Sequence, residues 1–494
     1  MPDTAVAAPE RSAASPARPR EALICVALAV MAFAVRYFNI VPSYNLFIDE
    51  VTYSEIARNI AEGEGVTSYD EPFTLHPPAA LAVFGLATKV LGLQGDPADL
   101  AYALRPVAAL FGAATVALTY LIARRLALPS GFALAAAALV MLDPFQIRYD
   151  SQVMLEAQTQ FFAALTILLV ITRSPGLAGL SAGITFCSKE TFGLVLGAAL
   201  LVMLFSNRPI PRPQTLKVIG IGLSLYLGNL LATIWLGGLD AWAQSRGNGL
   251  TRLIGLNQET GFNSDTVQVS LFSRLTEHFD RLAVTYALLL LGGVCCLVLV
   301  RRLTLWRPST APDAVVATTA WALAACGYLV YAMLFGSIEE QMFYIPLVPC
   351  VLCLAVVTAW YDRTRVSALL LALFLTVDVW VWSRVHSADS NIYRQFFTWA
   401  ETGIPHGSRV AVTEDSAQFV LEQVDLGNWH TPADLSEHDV DYVLINPRLV
   451  EHGYGLGDRA LLEYLETTAQ AVFTKTSEQD GTLILYRLNS AGAS

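Results

Sequence analysis

Charge is what this 494-residue sequence has least of: Asp, Glu, Lys and Arg make up 15% of it, where a soluble chain carries about 25%. With 54% hydrophobic residues and a mean hydropathy of +0.49, that scarcity excludes a wholly soluble protein. The net charge of −11 has the wrong sign for a nucleic-acid partner. Cysteine is sparse too. Six of the seven lie within apolar segments and Cys187 lies at the end of one. None falls in the polar C-terminal stretch, so no disulfide framework is indicated. Cys350 and Cys353 stand as C-x-x-C inside an apolar run and read as core packing, since buried cysteine behaves as a small hydrophobe.

What the sequence has in quantity is apolar runs long enough to cross a bilayer as helices. They fall near 22–41, 104–126, 129–146, 155–172, 174–189, 190–206, 214–237, 282–300, 313–335, 341–361 and 364–383. The first run contains Arg36 and no small-residue cleavage site before Tyr44, so it reads as a retained span. The short stretch 79–93 after Pro77-Pro78 reads as a surface-lying helix. With the N-terminus inside, the inner loops carry Arg124-Arg125, Arg173, Arg208, Arg212, Lys217, Arg301-Arg302 and Arg363. The outer loops carry Asp49, Glu50, Asp70, Glu71, Asp96, Asp99, Asp143, Asp150, Asp240, Glu259, Glu339 and Glu340. That is the positive-inside pattern, and counting 79–93 as a span would break it. The expected fold is a polytopic α-helical membrane protein of about eleven spans, N-terminus in and C-terminus out.

Residues 1–21 read as a disordered cytosolic tail, 22–383 as the transmembrane domain with outer loops 42–103 and 238–281, and 384–494 as a small extracytoplasmic α/β domain. In the first loop Tyr53, Ile56, Ala57 and Ile60 share one helical face, which Gly63 and Gly65 end, and this amphipathic piece is expected on the membrane surface. In the tail, Arg409–Val412 and Tyr442–Ile445 read as strands and 459–469 as a helix. Residues 471–476 and 482–487 flank the hairpin signal Asp480-Gly481. The sequence shows no convincing repeat.

Ionisable residues gather on the outer side. Asp49-Glu50 follow the first span. They read either as solvated acids at a helix start or as a base for chemistry at the membrane surface, which needs a carboxylate in a partly dry cleft. His76 sits in Leu-His-Pro-Pro, where two prolines fix the backbone beside it. Lys189 lies in Cys-Ser-Lys-Glu between two apolar helices. It reads either as a snorkelling lysine or as a cation for a lipid phosphate. Tyr344 opens a late span in Tyr-Ile-Pro. Arg148, Asp150 and Glu156 cluster after the third span, while Arg246 and Arg252 lie in the second outer loop. Cationic and phenolic groups plus a carboxylate base are the set that displaces a phosphate leaving group by a hydroxyl.

The order of these motifs over about 22–361 resembles the GT-C glycosyltransferases of the protein O-mannosyltransferase and lipid A aminoarabinose transferase type. These share Asp-Glu in the first outer loop, His- or Lys-Pro-Pro, a Lys between close helices and Tyr-x-x-Pro on a late span. The resemblance implies Asp49 as catalytic base with Glu50 as its acidic neighbour. It places His76 by the donor phosphate or a metal, and Lys189 and Tyr344 by the lipid phosphate. Ser151–Glu156 looks like the family's Ser-Arg-x-x-Leu-x-Asp/Glu stretch, with Gln152 at the arginine position. The arginine often found before the late tyrosine is absent as well, with Gln341, Met342 and Phe343 in its place. Phosphate contacts are then expected in part from Arg148, Arg246 or Arg252.

The implied activity is an inverting transfer from a polyprenyl-phosphate-linked sugar to a hydroxyl on a glycan, lipid or protein, at the outer face of a bacterial-type plasma membrane. A divalent cation is left open, because no chelating spacing is present. A transporter or flippase of lipid-linked sugars, or a non-catalytic scaffold presenting the C-terminal domain, are the rival readings.

Overall fold

Apolar segments in a bilayer must pair their backbone groups internally, and every such run here is helical. The computed structural model describes residues 19–68, 71–206, 210–256, 270–305, 312–336, 338–361, 364–413, 421, 423–451, 457–477 and 481–488. The chain begins with α1 (Pro19–Tyr37), α2 (Ile40–Ser43), α3 (Ile48–Glu62), the short ribbon β1 (Thr67–Ser68) and β2 (Glu71–Pro72), α4 (Ala79–Leu91) and α5 (Pro97–Arg125). It continues through α6 (Ser130–Leu142), α7 (Pro144–Asp150), α8 (Leu155–Ile171), α9 (Pro175–Phe186), α10 (Glu190–Phe205) and α11 (Arg212–Gly237). Next come α12 (Leu239–Leu253), α13 (Leu271–Glu277), α14 (Phe279–Leu305), α15 (Asp313–Leu334), a 3-10 turn (Glu340–Phe343) running into α16 (Tyr344–Trp360), and α17 (Thr364–Ser387). The C-terminal part holds α18 (Ile392–Gly403), β3 (Arg409–Val412), β4 (Asp425–Gly427), α19 (Pro432–Glu437), β5 (Tyr442–Ile445), α20 (Pro447–Glu451), α21 (Arg459–Thr468), β6 (Ala469–Ser477) and β7 (Gly481–Leu488).

Among the described residues six helices are long and apolar enough to cross a membrane, or seven if α6 and α7, bent by 60°, count as one. The bend sits at Asp143, whose carboxylate accepts from the Gln146 N–H at 2.9 Å while Pro144 opens α7. The remaining apolar runs are helical but shorter. α9 has only 12 residues, about 18 Å, against a hydrocarbon core of about 30 Å.

Two elements differ from the sequence reading. The apolar face of α3 is covered by protein: Tyr53, Ile56 and Ala57 bury against Leu81 and Phe84 of α4 and Leu104 of α5. Gly85 permits this approach, since a Cβ there would lie 2.5 Å from the Ile60 side chain. In the stretch 238–281 the helices α12 and α13 replace the expected loop. The tail 1–18, Asp70, Arg208, Glu259, Arg363 and the turn residue Asp480 lie outside the described residues.

The C-terminal strands form one sheet in the order β4-β3-β5-β7-β6, with β4, β3 and β5 parallel and β7 and β6 antiparallel. Side chains alternate across it. Val410, Val412, Leu444, Leu483 and Leu485 pack towards α18 in a core continuous with α3, α4 and α5. Ala411, Val443 and Ile445 face Leu435 of α19 and Leu461 and Leu465 of α21.

Candidate active site

The first turn of α3 separates the two acids. Glu50 points into protein and is fully buried. Its oxygens accept from Arg105 Nη2 at 2.8 Å and Nε at 2.9 Å, from the Val153 N–H at 3.0 Å and from Gln152 Nε2 at 3.2 Å. Arg105 also donates to the carbonyls of Ile40, Tyr44 and Asn45. Planar, bidentate pairing of this kind fixes geometry as well as charge. Glu50 therefore has no lone pair to spare for substrate, and its place in the site is structural: it anchors the 40–50 segment. Asp49, one residue earlier, faces a cavity of about 1160 Å³. Its carboxylate has no hydrogen bond or ion pair among the described residues. Burial pushes the Asp49 carboxyl up to about 6, against the pull of Lys189 and His76 and with the push of Glu156 and Glu339.

Opposite charge enters the cavity from the break between α9 and α10. Lys189 sits in extended backbone at the N-cap of α10, nearly fully buried. Its ammonium donates to Glu156 in the first turn of α8, and to Gln341 Oε1 at 2.8 Å. Burial disfavours that charge, but Glu156, and then Asp49 and Glu339, hold it above its usual range. Its third N–H has no partner among the described residues. The loop carrying His76 is tied to the same break, because the Ala79 N–H donates to the Cys187 carbonyl at 2.8 Å. His76 Nδ1 lies 3.3 Å from Glu190 Oε2. Arg246 on α12 pairs with Glu190 and donates to the Thr74 carbonyl at 3.1 Å. Arg252 pairs with Glu339, and Arg148 with Glu340 at 3.3 Å. Each cation of the cavity is thus held by an acid.

The cavity has a second, apolar arm. Gly193, Leu194, Gly197, Ala198 and Leu201 line it along α10, with Leu223 and Tyr226 from α11 and Tyr328 and Tyr331 from α15. Leu194, Leu201 and Leu223 are exposed along it, so the arm opens sideways to the surroundings of the helices.

Of the residues singled out in the sequence, Asp49, His76, Arg148, Glu156, Lys189, Arg246 and Arg252 line this one cavity. Glu50 and Tyr344 do not. Tyr344 is fully buried and its hydroxyl donates to Asp150, which is paired with Arg36 at 2.7 Å. Its ring backs Tyr149 and Phe192, 6.0 and 6.3 Å away between centroids, and those rings do line the cavity. The direct phosphate contact expected of Tyr344 is therefore replaced by a supporting role behind the wall. Gln152, at the position where an arginine was expected, donates to Glu50 and to the Asn45 carbonyl.

Sequence reasoning missed Arg105, Glu190, Gln341, Tyr393, Thr413, Asn446 and Arg448. The signal for Arg105 was available: a charge at the start of an apolar helix needs a buried partner. The others carry no distinguishing spacing. Among the described residues no three His, Cys, Asp or Glu side chains are placed to hold a metal ion.

The fold is shared with solved glycosyltransferases of the GT-C type, the class that the sequence order resembles. Residues 75–231 match the sequence model of the family described as dolichyl-phosphate-mannose-protein mannosyltransferase. The crystal structure of ArnT from Cupriavidus metallidurans bound to undecaprenyl phosphate has the same fold. It gives a TM-score of 0.59 at 12% identity, over 96% of this chain and 99% of that one. The archaeal oligosaccharyltransferase AglB from Archaeoglobus fulgidus, in complex with an inhibitory peptide and a dolichol-phosphate, gives 0.54 at 12% identity over 96% of this chain and 75% of that one. No curated protein matches the sequence.

Proposed function

We propose that this protein is an inverting glycosyltransferase that moves a sugar from a polyprenyl-phosphate donor to an acceptor hydroxyl. The observation that carries this reading is the unpaired Asp49 carboxylate, facing a cavity that also holds Lys189 and opens into an apolar arm along α10. The polyprenyl chain lies in that arm with its phosphate at Lys189. Asp49 takes the acceptor's O–H proton as that oxygen bonds to the anomeric carbon. The bond from that carbon to the phosphate oxygen breaks with its electron pair. Lys189 stabilises the departing phosphate through its ammonium, and Arg246, Arg252, Arg148 and His76 exchange part of their hold on Glu190, Glu339 and Glu340 for it. Attack opposite the leaving group inverts the configuration.

The helices cross a bacterial-type plasma membrane about eleven times with the N-terminus inside, the short α9 crossing where the bilayer thins locally. The cavity, the first loop and the C-terminal α/β domain lie on the outer side.

The test is transfer by purified Asp49→Asn with a polyprenyl-phosphate sugar. A fall of about 10²–10⁴-fold is expected for loss of a general base, with the folded state retained. Wild-type turnover would remove Asp49 from the chemistry.

A further inference from the structure

The far wall of the cavity from the helices is built by the C-terminal sheet, and this wall has the form of a binding crevice in its own right. Thr413 directly follows β3 and Asn446 directly follows β5, two adjacent parallel strands. Beyond β3 the chain moves to β4 on one side of the sheet. Beyond β5 it moves through α20 and α21 to β6 on the other. The exits diverge, which makes the carboxyl ends of β3 and β5 a topological switch point, the place where open α/β sheets receive ligands. The two ends are tied together: the Thr413 N–H and Oγ1 both donate to the Leu444 carbonyl, at 3.2 and 3.0 Å.

Both residues line the cavity that Asp49 faces. A third polar group joins them from α18. Tyr393 also lines the cavity, is 2% exposed, and its hydroxyl has no hydrogen-bond partner among the described residues. A buried hydroxyl left unpaired by the protein is rare and calls for a partner from outside it. Charge at this wall is already committed, since Arg448 pairs with Glu277 at 2.9 Å.

We infer that the carboxyl ends of β3 and β5, with Tyr393, form the acceptor subsite, and that the acceptor it takes is a saccharide. This rests on the transfer reading of the Asp49 cavity. The chemistry of the wall selects the ligand class. Phenol, threonine hydroxyl and carboxamide are neutral polar groups; the Thr413 proton is given to the Leu444 carbonyl, but its oxygen still accepts, and sugar hydroxyls both donate and accept at every carbon. A sugar carries several hydroxyls, so it can meet more than one such group in the cavity that Asp49 also faces.

The experiment uses the full-length protein in detergent micelles, without donor. Saturation-transfer NMR measures binding of methyl α- and β-glucosides, galactosides and mannosides, and of a Ser/Thr-containing hexapeptide. At least one glycoside is expected to bind wild type. Its affinity falls about 3-fold or more in Tyr393→Phe and about 10-fold in Asn446→Ala, as expected when a ligand hydroxyl loses its built partner. Because the Tyr393 hydroxyl has no partner among the described residues, Tyr393→Phe keeps or raises Tm, so a merely structural tyrosine predicts unchanged binding. Undecaprenyl phosphate retained by each variant reports an intact donor side. Glycoside affinity unaltered in both variants, or no glycoside binding at all, overturns the subsite. Peptide binding that is lost in Tyr393→Phe assigns the wall to a protein acceptor and overturns the saccharide. If glycosides bind at Tyr393 while no donor is ever turned over, the subsite stands and the transfer reading fails.

Discussion

A carboxylate that faces a half-enclosed cavity with no partner holds its proton more tightly than one in water, and Asp49 does so up to about 6. A base must be deprotonated to act, so kcat/KM for transfer should be level above pH 7. It should fall about tenfold per pH unit below about 6, which a pH–rate profile checks. A profile breaking near 4 would mean that the base is an ordinary solvated acid. The same shift acts on stability with the opposite sense. The native chain binds this proton more tightly than the unfolded chain, so Asp49 costs stability above about pH 6, and the cost is relieved as pH falls towards 4. Glu50 behaves differently, although sequence position alone joins it to Asp49. Glu50→Gln leaves Arg105 charged and buried beside a neutral partner. It should destabilise the protein by about 3–5 kcal/mol, read as a lowered Tm, whereas Asp49→Asn should not lower it. Asp49 was legible because its place after the first span matters chemically. Glu50's role was not, because its partner Arg105 lies 55 residues away.

At the scale of single elements, α10 shows why a groove was hidden. The helix is apolar all round, and neither composition nor period tells a lipid-facing side from a side lining an arm of the cavity. The structure separates them through Gly193 and Gly197, which keep one face low while α11 packs chiefly against α9. An added Cβ at Gly197 meets nothing within 4 Å, so Gly197→Leu should fold and extend its side chain into the arm. If the arm holds the donor's polyprenyl chain, donor KM should rise about tenfold or more with kcat changed by less than about twofold, the pattern of lost uniform binding. An unchanged KM for a long-chain donor would place the chain elsewhere. The helices themselves were readable from hydropathy, and so were the strands at Arg409 and Tyr442 from their short apolar runs. The α12 helix was not, since its polar sequence only half-buries its faces against the bundle.

At the scale of the whole molecule, the C-terminal sheet is built into the bundle rather than appended to it. Its inner face shares one core with α3, α4, α5 and α18, from Leu81 and Leu104 through Phe396 to Leu444 and Leu485. No local pattern announces such a core, because its members come from segments hundreds of residues apart; only the packed chain brings them together. With the sheet packed into this core, Tyr393, Thr413 and Asn446 line the same cavity as Asp49. Phe396 sits at the junction, fully buried, with its ring edge-on to Phe473 at 5.3 Å between centroids. Phe396→Ala should cost about 3–5 kcal/mol through the cavity it leaves. If the core is continuous, hydrogen exchange should quicken together in the sheet, in α18 and in the N-terminal halves of α4 and α5. Exchange that quickens in the sheet and α18 alone would show that the two parts unfold independently, and that the far wall of the cavity is free to move relative to the base.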